Sequence, residues 1–156
     1  MSYPEEIDGA ERIVRVLRTP HFFRNGNLVQ AALRPQVGKN LLSIMRWSYR
    51  LQPGSALKGK CQEIGNSGRN SYCGVATMTA GECWTAGVRL EDAREEYDGH
   101  AHMVFPFVLQ SYEPQENEEY ILQVDITRKL MEIAVPVLDP APEDKEWTIS
   151  DDILPL

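Results

Sequence analysis

A chain of 156 residues and 17.7 kDa has enough apolar surface for one hydrophobic core but not for two. With 42% hydrophobic and 25% charged residues it matches globular usage, which excludes a collagen-like repeat, a coiled coil and full disorder. The net charge of -7 is unevenly spread: Arg12 to Leu90 holds twelve Lys or Arg against Glu63 and Glu82, whereas Glu91 to Leu156 holds seventeen acids against four basic residues. That division predicts either two halves that face and neutralise each other or a basic surface that engages an anion, nucleic acid or an acidic partner.

The opening MSYPEEIDGAER has no apolar run, so it reads as neither a secretory signal nor a transit peptide, and a cytoplasmic address is expected. Ile7, Ala10, Ile13, Val14 and Leu17 share a helical face. With Glu5 and Glu6 in a first turn and Thr19-Pro20 at the end, this segment is expected as a helix, although RIVRVL also alternates as a strand. Asn25-Gly26 marks a turn. LLSIMRWSY, 41–49, is expected as a central strand with apolar residues on both faces: Leu41, Ser43, Met45, Trp47 and Tyr49 on one, Leu42, Ile44 and Arg46 on the other.

After the turn at Pro53-Gly54, Ser55 is placed to cap a short helix carrying Leu57, Cys61 and Ile64, with Gly65 as its left-handed end. Tyr72 to Met78 reads as a strand, and Thr79-x-x-Glu82 as a capping box that opens a helix closed by Gly87. Val88 to Leu90 is either a brief strand or the exit from that helix. His102 to Leu109 reads as a buried strand disturbed by Pro106; the longest apolar window, Met103 to Leu109, is too short to cross a bilayer, and no membrane association is expected. From Glu116 a helix is expected, with the strand pair YILQVDI and MEIAVPVL as its alternative. The whole predicts an α+β fold. Residues 1–138 form one domain, a small mixed or antiparallel sheet flanked by three or four helices, and 139–156 an acidic, proline-containing tail. The apolar residues Trp147, Ile149, Ile153, Leu154 and Leu156 predict that this tail is held, either across the basic front of its own domain at Arg46, Arg50 or Lys58, or on a partner.

Cys61, Cys73 and Cys83 are odd in number and lack C-x2-C spacing, so reduced core thiols are expected rather than disulfides or a structural zinc site. The loop GNSGRNS has neither Walker nor G-x-G-x-x-G spacing. The strongest constellation is Asp98-Gly99-His100-Ala101-His102, because alternation along a strand puts both imidazoles on one face, within reach of one metal or one phosphate. A metal would need further ligands, with Asp98, His21 or a cysteine as candidates, and neither a metal nor a cofactor is expected. Ser43 has no G-x-S-x-G elbow around it. Phe22, Phe23 and Arg24, and Arg46-Trp47-Ser48-Tyr49-Arg50, interleave bases with aromatics as single-stranded nucleic acid would require, but no nucleic-acid motif accompanies them.

The arrangement Leu42-Ser43-Ile44 with Arg46, then Gly74-Val75, Gly81-Glu82, Gly87 and His100-Ala101, resembles a group of small uncharacterised bacterial proteins over roughly Leu41 to Val104. The resemblance implies no activity, only that Ser43, Arg46 and His100 gather around one site. Two functions are therefore expected. The leading one is a non-catalytic accessory protein that binds a protein partner through Arg46, Arg50, Lys58 and Trp147. The other is an enzyme acting on a phosphorylated or nucleotide-like substrate, with His100 and His102 as acid-base groups, Ser43 beside them and Arg46 holding the anion.

Overall fold

The structure, a computed structural model, describes residues 4–52, 55–147 and 149. Its described elements are strands β1 (Arg12–Thr19), β2 (Phe23–Arg24), β3 (Asn27–Leu28), β4 (Leu41–Arg46), β5 (Ser71–Thr79), β6 (Arg89–Asp92), β7 (His100–Val104) and β8 (Val135–Leu138), with helices α1 (Leu57–Gly65), α2 (Ala80–Ala86) and α3 (Glu118–Ile133). Six of the strands form one antiparallel sheet in the order β6-β7-β4-β1-β5-β8, and β2 and β3 form a small hairpin. The fold is thus α+β, and the sheet is antiparallel.

Helices cover both sheet faces. Ile13, Leu17, Leu42, Ile44 and Met78 meet Ile126 and Leu130 of α3 and Cys83 of α2 in the larger core. On the opposite face, Val14, Val16, Met45 and Val75 meet Leu57 and Cys61 of α1. None of the described helices is long and apolar enough to cross a membrane.

The first segment corrects the helix expectation: it is β1, paired with β4 on one side and β5 on the other. A strand buried on both faces places apolar residues at adjacent positions, and Val14 beside Ile13 imitates a helical stripe. Immediately before it, an Asx turn in which the Asp8 carboxylate accepts from the Ala10 N–H leaves no room for a helix start. The alternation read over 41–49 also stops early, because Trp47–Leu51 turns into a 3₁₀ segment. Gly65 is the last residue of α1 rather than a left-handed cap; a Cβ there would come within 2.5 Å of the Tyr72 Cβ. The Thr79–Glu82 capping box and the left-handed Gly87 stand as expected. α3 takes the helical alternative, and only VPVL goes to a strand. β7 ends before Pro106 and is paired on both sides, so the proline terminates the strand instead of bulging it.

Beyond β8, the chain returns over the α1 face. Asp139 accepts from the buried Lys58 ammonium and, at 2.7 Å, from the Tyr72 hydroxyl. Gln62 of α1 donates to the carbonyls of Pro142 and Asp144, Trp147 packs edge-on against Trp47 with ring centres 4.7 Å apart, and Ile149 is buried. The Pro53-Gly54 turn and the anchors Ile153, Leu154 and Leu156 lie outside the described residues.

Arg46, fully buried at the end of β4, holds distant segments together. Its Nε and Nη2 clamp both oxygens of Glu11 at 2.6 and 2.7 Å, and its Nη1 reaches Asp92 of β6 and the Pro4 carbonyl, each at 2.7 Å. Burial disfavours the charge, but the Glu11 and Asp92 carboxylates outweigh it and raise the Arg46 pKa. Arg46→Met leaves both carboxylates without this cation, so the variant is expected to lose about 3 kcal/mol in urea unfolding. Asp92 responds to pH in a defined sense. Burial opposes its ionisation, yet hydrogen bonds from Arg94 and Arg46 hold its pKa below the ordinary range. Its contribution is therefore complete above the unfolded value near about 3.9 and is lost as pH falls through the lower folded value. Asp92→Asn is expected to flatten this acid limb of a stability-against-pH curve.

Candidate functional site

β1 and β4 pair only at Ile13 with Arg46 and Val14 with Met45, then part. Arg15 fills the opening from β1. Its Nε donates to the Ala32 carbonyl at 2.8 Å and its Nη1 to the Ser43 carbonyl at 2.9 Å, replacing ladder bonds that the parted strands cannot make. Above it opens a cleft of about 530 Å³ lined by Arg15, Arg18, His21, Arg34, Lys39 and Ser43 among others, with no described carboxylate in its walls. None of the four cations is ion-paired to a described acid. Arg15 and Arg18 both lie over the Phe22 ring, at 4.6 and 4.4 Å from its centre, and Arg34 lies over Tyr112. The uncompensated field shows in the titrating groups. Burial, reinforced by the Arg18 charge, brings Arg15 down to about 10, and burial with Arg18 and Arg15 lowers His21.

At the floor of the cleft Ser43 connects to a second group of side chains. Its Oγ lies 2.7 Å from His100 Nε2. In the β4–β7 register Ser43 stands opposite His102 and Met45 opposite His100, so all four share a face. The loop before β7 folds back over them, with the Glu96 N–H on the Ala93 carbonyl, the His100 N–H on the Tyr97 carbonyl and Gly99 in the left-handed region at φ +88°. That turn brings Glu96 Oε2 to 2.8 Å from His100 Nδ1 and Oε1 to 3.8 Å from His102 Nε2. Tyr97 stacks on one face of the His100 ring, and the His102 ring meets it edge-on. Burial lowers the His100 pKa despite the Glu96 charge, so this imidazole is neutral at neutral pH.

Of the residues the resemblance implies, Ser43 and His100 do meet. Arg46 contributes only its backbone, whose N–H holds the Gly99 carbonyl beside His100, while its guanidinium belongs to Glu11 and Asp92. This corrects the placement of Arg46 as the anion-holding group. Lys58 is likewise buried against Asp139. Trp147 packs on Trp47, with the Lys58 ammonium 5.4 Å from its ring centre, and Arg50 stacks on the other member of that pair. These four positions thus make internal contacts. Trp47 and Tyr49 are buried, which removes them as a base-stacking platform.

All three cysteines are free, and burial pushes the Cys83 thiol up to about 12, which keeps it protonated. Asp98, His21 and the cysteines, the ligands sought to accompany the histidine pair, stay outside its cluster; the carboxylate that reaches it is Glu96. The missed signal was helical-type i, i+4 spacing to His100 within a turn. The basic cleft was missed because Arg15, Arg18, Arg34 and Lys39 carry no shared motif.

No family model matches this chain, nor does any curated protein or solved structure, so the site is read from its own geometry. Ser43→Ala deprives buried His100 Nε2 of its partner and is expected to cost about 1–2 kcal/mol in denaturant unfolding. Arg15→Leu strands the Ala32 and Ser43 carbonyls, and a larger loss of about 2–3 kcal/mol is expected from the same measurement.

Proposed function

We propose that this protein binds an anionic small molecule of the phosphate-bearing class in the cleft between β1 and β4. The observation that supports this reading is the convergence of Arg15, Arg18, Arg34 and Lys39 on one concavity without a carboxylate. Like charges gathered in a partly enclosed site repel one another, and the same field that disfavours the empty cleft favours an anion inside it. Guanidinium groups are suited to the task, since their planar N–H forks match phosphate oxygens, and Lys39 adds an exposed cation at the rim. Arg15 is already oriented by its two carbonyl contacts, and Arg18 by a 2.7 Å hydrogen bond to the Ser67 hydroxyl, so little side-chain freedom is lost on binding.

This reading follows the enzyme expectation in its ligand class and changes the residues that hold the ligand. Ser43 lies where it would touch a bound anion. A hydroxyl hydrogen-bonded to a neutral imidazole gives the cleft a polar floor able to donate or accept.

Thermal unfolding with and without added inorganic phosphate or a nucleoside diphosphate tests the proposal. A ligand present at about 100 times its Kd is expected to add roughly 2.7 kcal/mol, seen as a rise in Tm that shrinks with added KCl. Lys39→Glu is expected to have effects of opposite sign. It relieves repulsion and leaves the ligand-free Tm unchanged or slightly higher, yet it reduces the rise caused by phosphate or nucleotide. Absence of any shift with both ligands at low ionic strength refutes the reading.

A further inference from the structure

Among the described residues, Glu96, His100 and His102 bring one carboxylate and two imidazoles together, with their ligand atoms all within 4.8 Å of one another. We infer that these three residues bind a divalent first-row transition ion of the zinc type through His100 Nδ1, His102 Nε2 and the Glu96 carboxylate. The inference does not rest on the anion cleft, although Ser43 borders both sites.

The decisive atom is His100 Nδ1. It is buried, and Glu96 Oε2 lies only 2.8 Å away. The other ring nitrogen has a well-placed partner in Ser43 Oγ at 2.7 Å. A proton on Nε2 donated to Ser43 leaves the Nδ1 lone pair facing a carboxylate oxygen. Two electron-rich atoms at that separation repel unless a proton or a cation lies between them, and in the tautomer whose proton is on Nε2 a coordinated ion takes that place. Ser43 then does for His100 what outer-shell partners do at metal sites: it holds the tautomer and the ring orientation.

Spacing and donor type agree with this assignment. Bonds of about 2.0–2.1 Å in a tetrahedral site separate adjacent donors by about 3.3 Å, and the Glu96 oxygens at 2.8 and 3.8 Å from the two imidazole nitrogens bracket that value. Two imidazoles with one carboxylate suit zinc, iron or nickel better than magnesium or calcium, which prefer oxygen ligands. The pair is carried on β7, one strand step apart, and Gly99 and Tyr97 fix the turn that delivers Glu96. His102 is 21% exposed and Glu96 54%, so a fourth position opens to solvent. Three protein ligands with one open position is the pattern of a reactive site rather than a closed structural one.

The test uses the full chain, freed of metal with EDTA and then titrated with Zn²⁺ by calorimetry and with Co²⁺ by visible absorption. Saturation at one ion per chain is expected, together with a Co²⁺ d–d spectrum of low-symmetry type. His102→Ala and Glu96→Gln, both at partly exposed positions that spare the core, are expected to weaken Zn²⁺ binding by at least about tenfold and to change the Co²⁺ spectrum. Ser43→Ala is expected to weaken it by about tenfold through loss of ring orientation. Glu95→Gln, an exposed neighbour outside the cluster, is expected to bind as the unaltered chain does. No saturable binding of either ion to the EDTA-treated chain overturns the inference, as does Zn²⁺ affinity that survives both His102→Ala and Glu96→Gln. Phosphate-induced stabilisation measured on EDTA-treated protein reports separately on the cleft, so failure of one reading is distinguishable from failure of the other.

Discussion

The parting of β1 from β4 is the constraint on which the rest of this molecule depends. Two central strands of an antiparallel sheet ordinarily exchange hydrogen bonds along their shared length, and here the exchange stops after Val14. At the closed end Arg46 draws Glu11, Asp92 and the Pro4 carbonyl around its guanidinium. At the open end Arg15 supplies donors to Ser43 and Ala32 in place of a neighbouring strand. One arginine therefore closes the strand pair and another props it apart. Without the parting Ser43 would face a paired neighbour instead of a cleft.

The same two arginines show how the uneven charge of the chain is resolved. Arg46 and Lys58 from the basic front half meet acids from other segments: Glu11, Asp92 and Asp139. In that respect the two parts neutralise each other, within the interior. Arg15, Arg18, Arg34 and Lys39 receive no such partner among the described residues and gather at the cleft. Arg46 and Lys58 have carboxylates that offset their desolvation, whereas the buried Arg15 is held only by carbonyls and, with the more exposed cations of the cleft, creates a field that favours anions. The expectation that the two parts face and neutralise each other is met at Arg46 and Lys58, while the cations of the cleft carry only the proposed anion site.

Much of the fold was legible where local chemistry decides local structure. The Thr79–Glu82 capping box, Gly87 and the positive-φ pair Asn25-Gly26 each carry their conformation in their residue types, and each stands in the structure. The same holds for Leu57, Cys61 and Ile64 on α1. The first segment was misread because Ile13, Val14 and Leu17 satisfy both periods when a strand is buried on both faces. The site was legible in part. H-x-H identified one face of β7, and the resemblance implied that Ser43 and His100 meet, which they do at 2.7 Å. Arg46 was misassigned because a basic residue on an apolar strand looks the same in sequence whether it faces a ligand or buried acids.

What the sequence determined by itself is everything that depends on neighbours a few positions apart: the capped helix, the turns, the alternation of β4 and β7, and an α+β composition. Only the tertiary structure decided which charges meet. Glu96 reaches two histidines because a turn of seven residues, 93–99, folds back over β7, and four cations from β1 and the segment 34–39 share a cleft because β1 and β4 part. The cations come together from separate segments through sheet order, and even Glu96, only four positions from His100, meets it because the loop turns back on the strand. A hydrophobic pattern specifies which face of a strand is buried, but not which strand lies beside it or where the pairing ends.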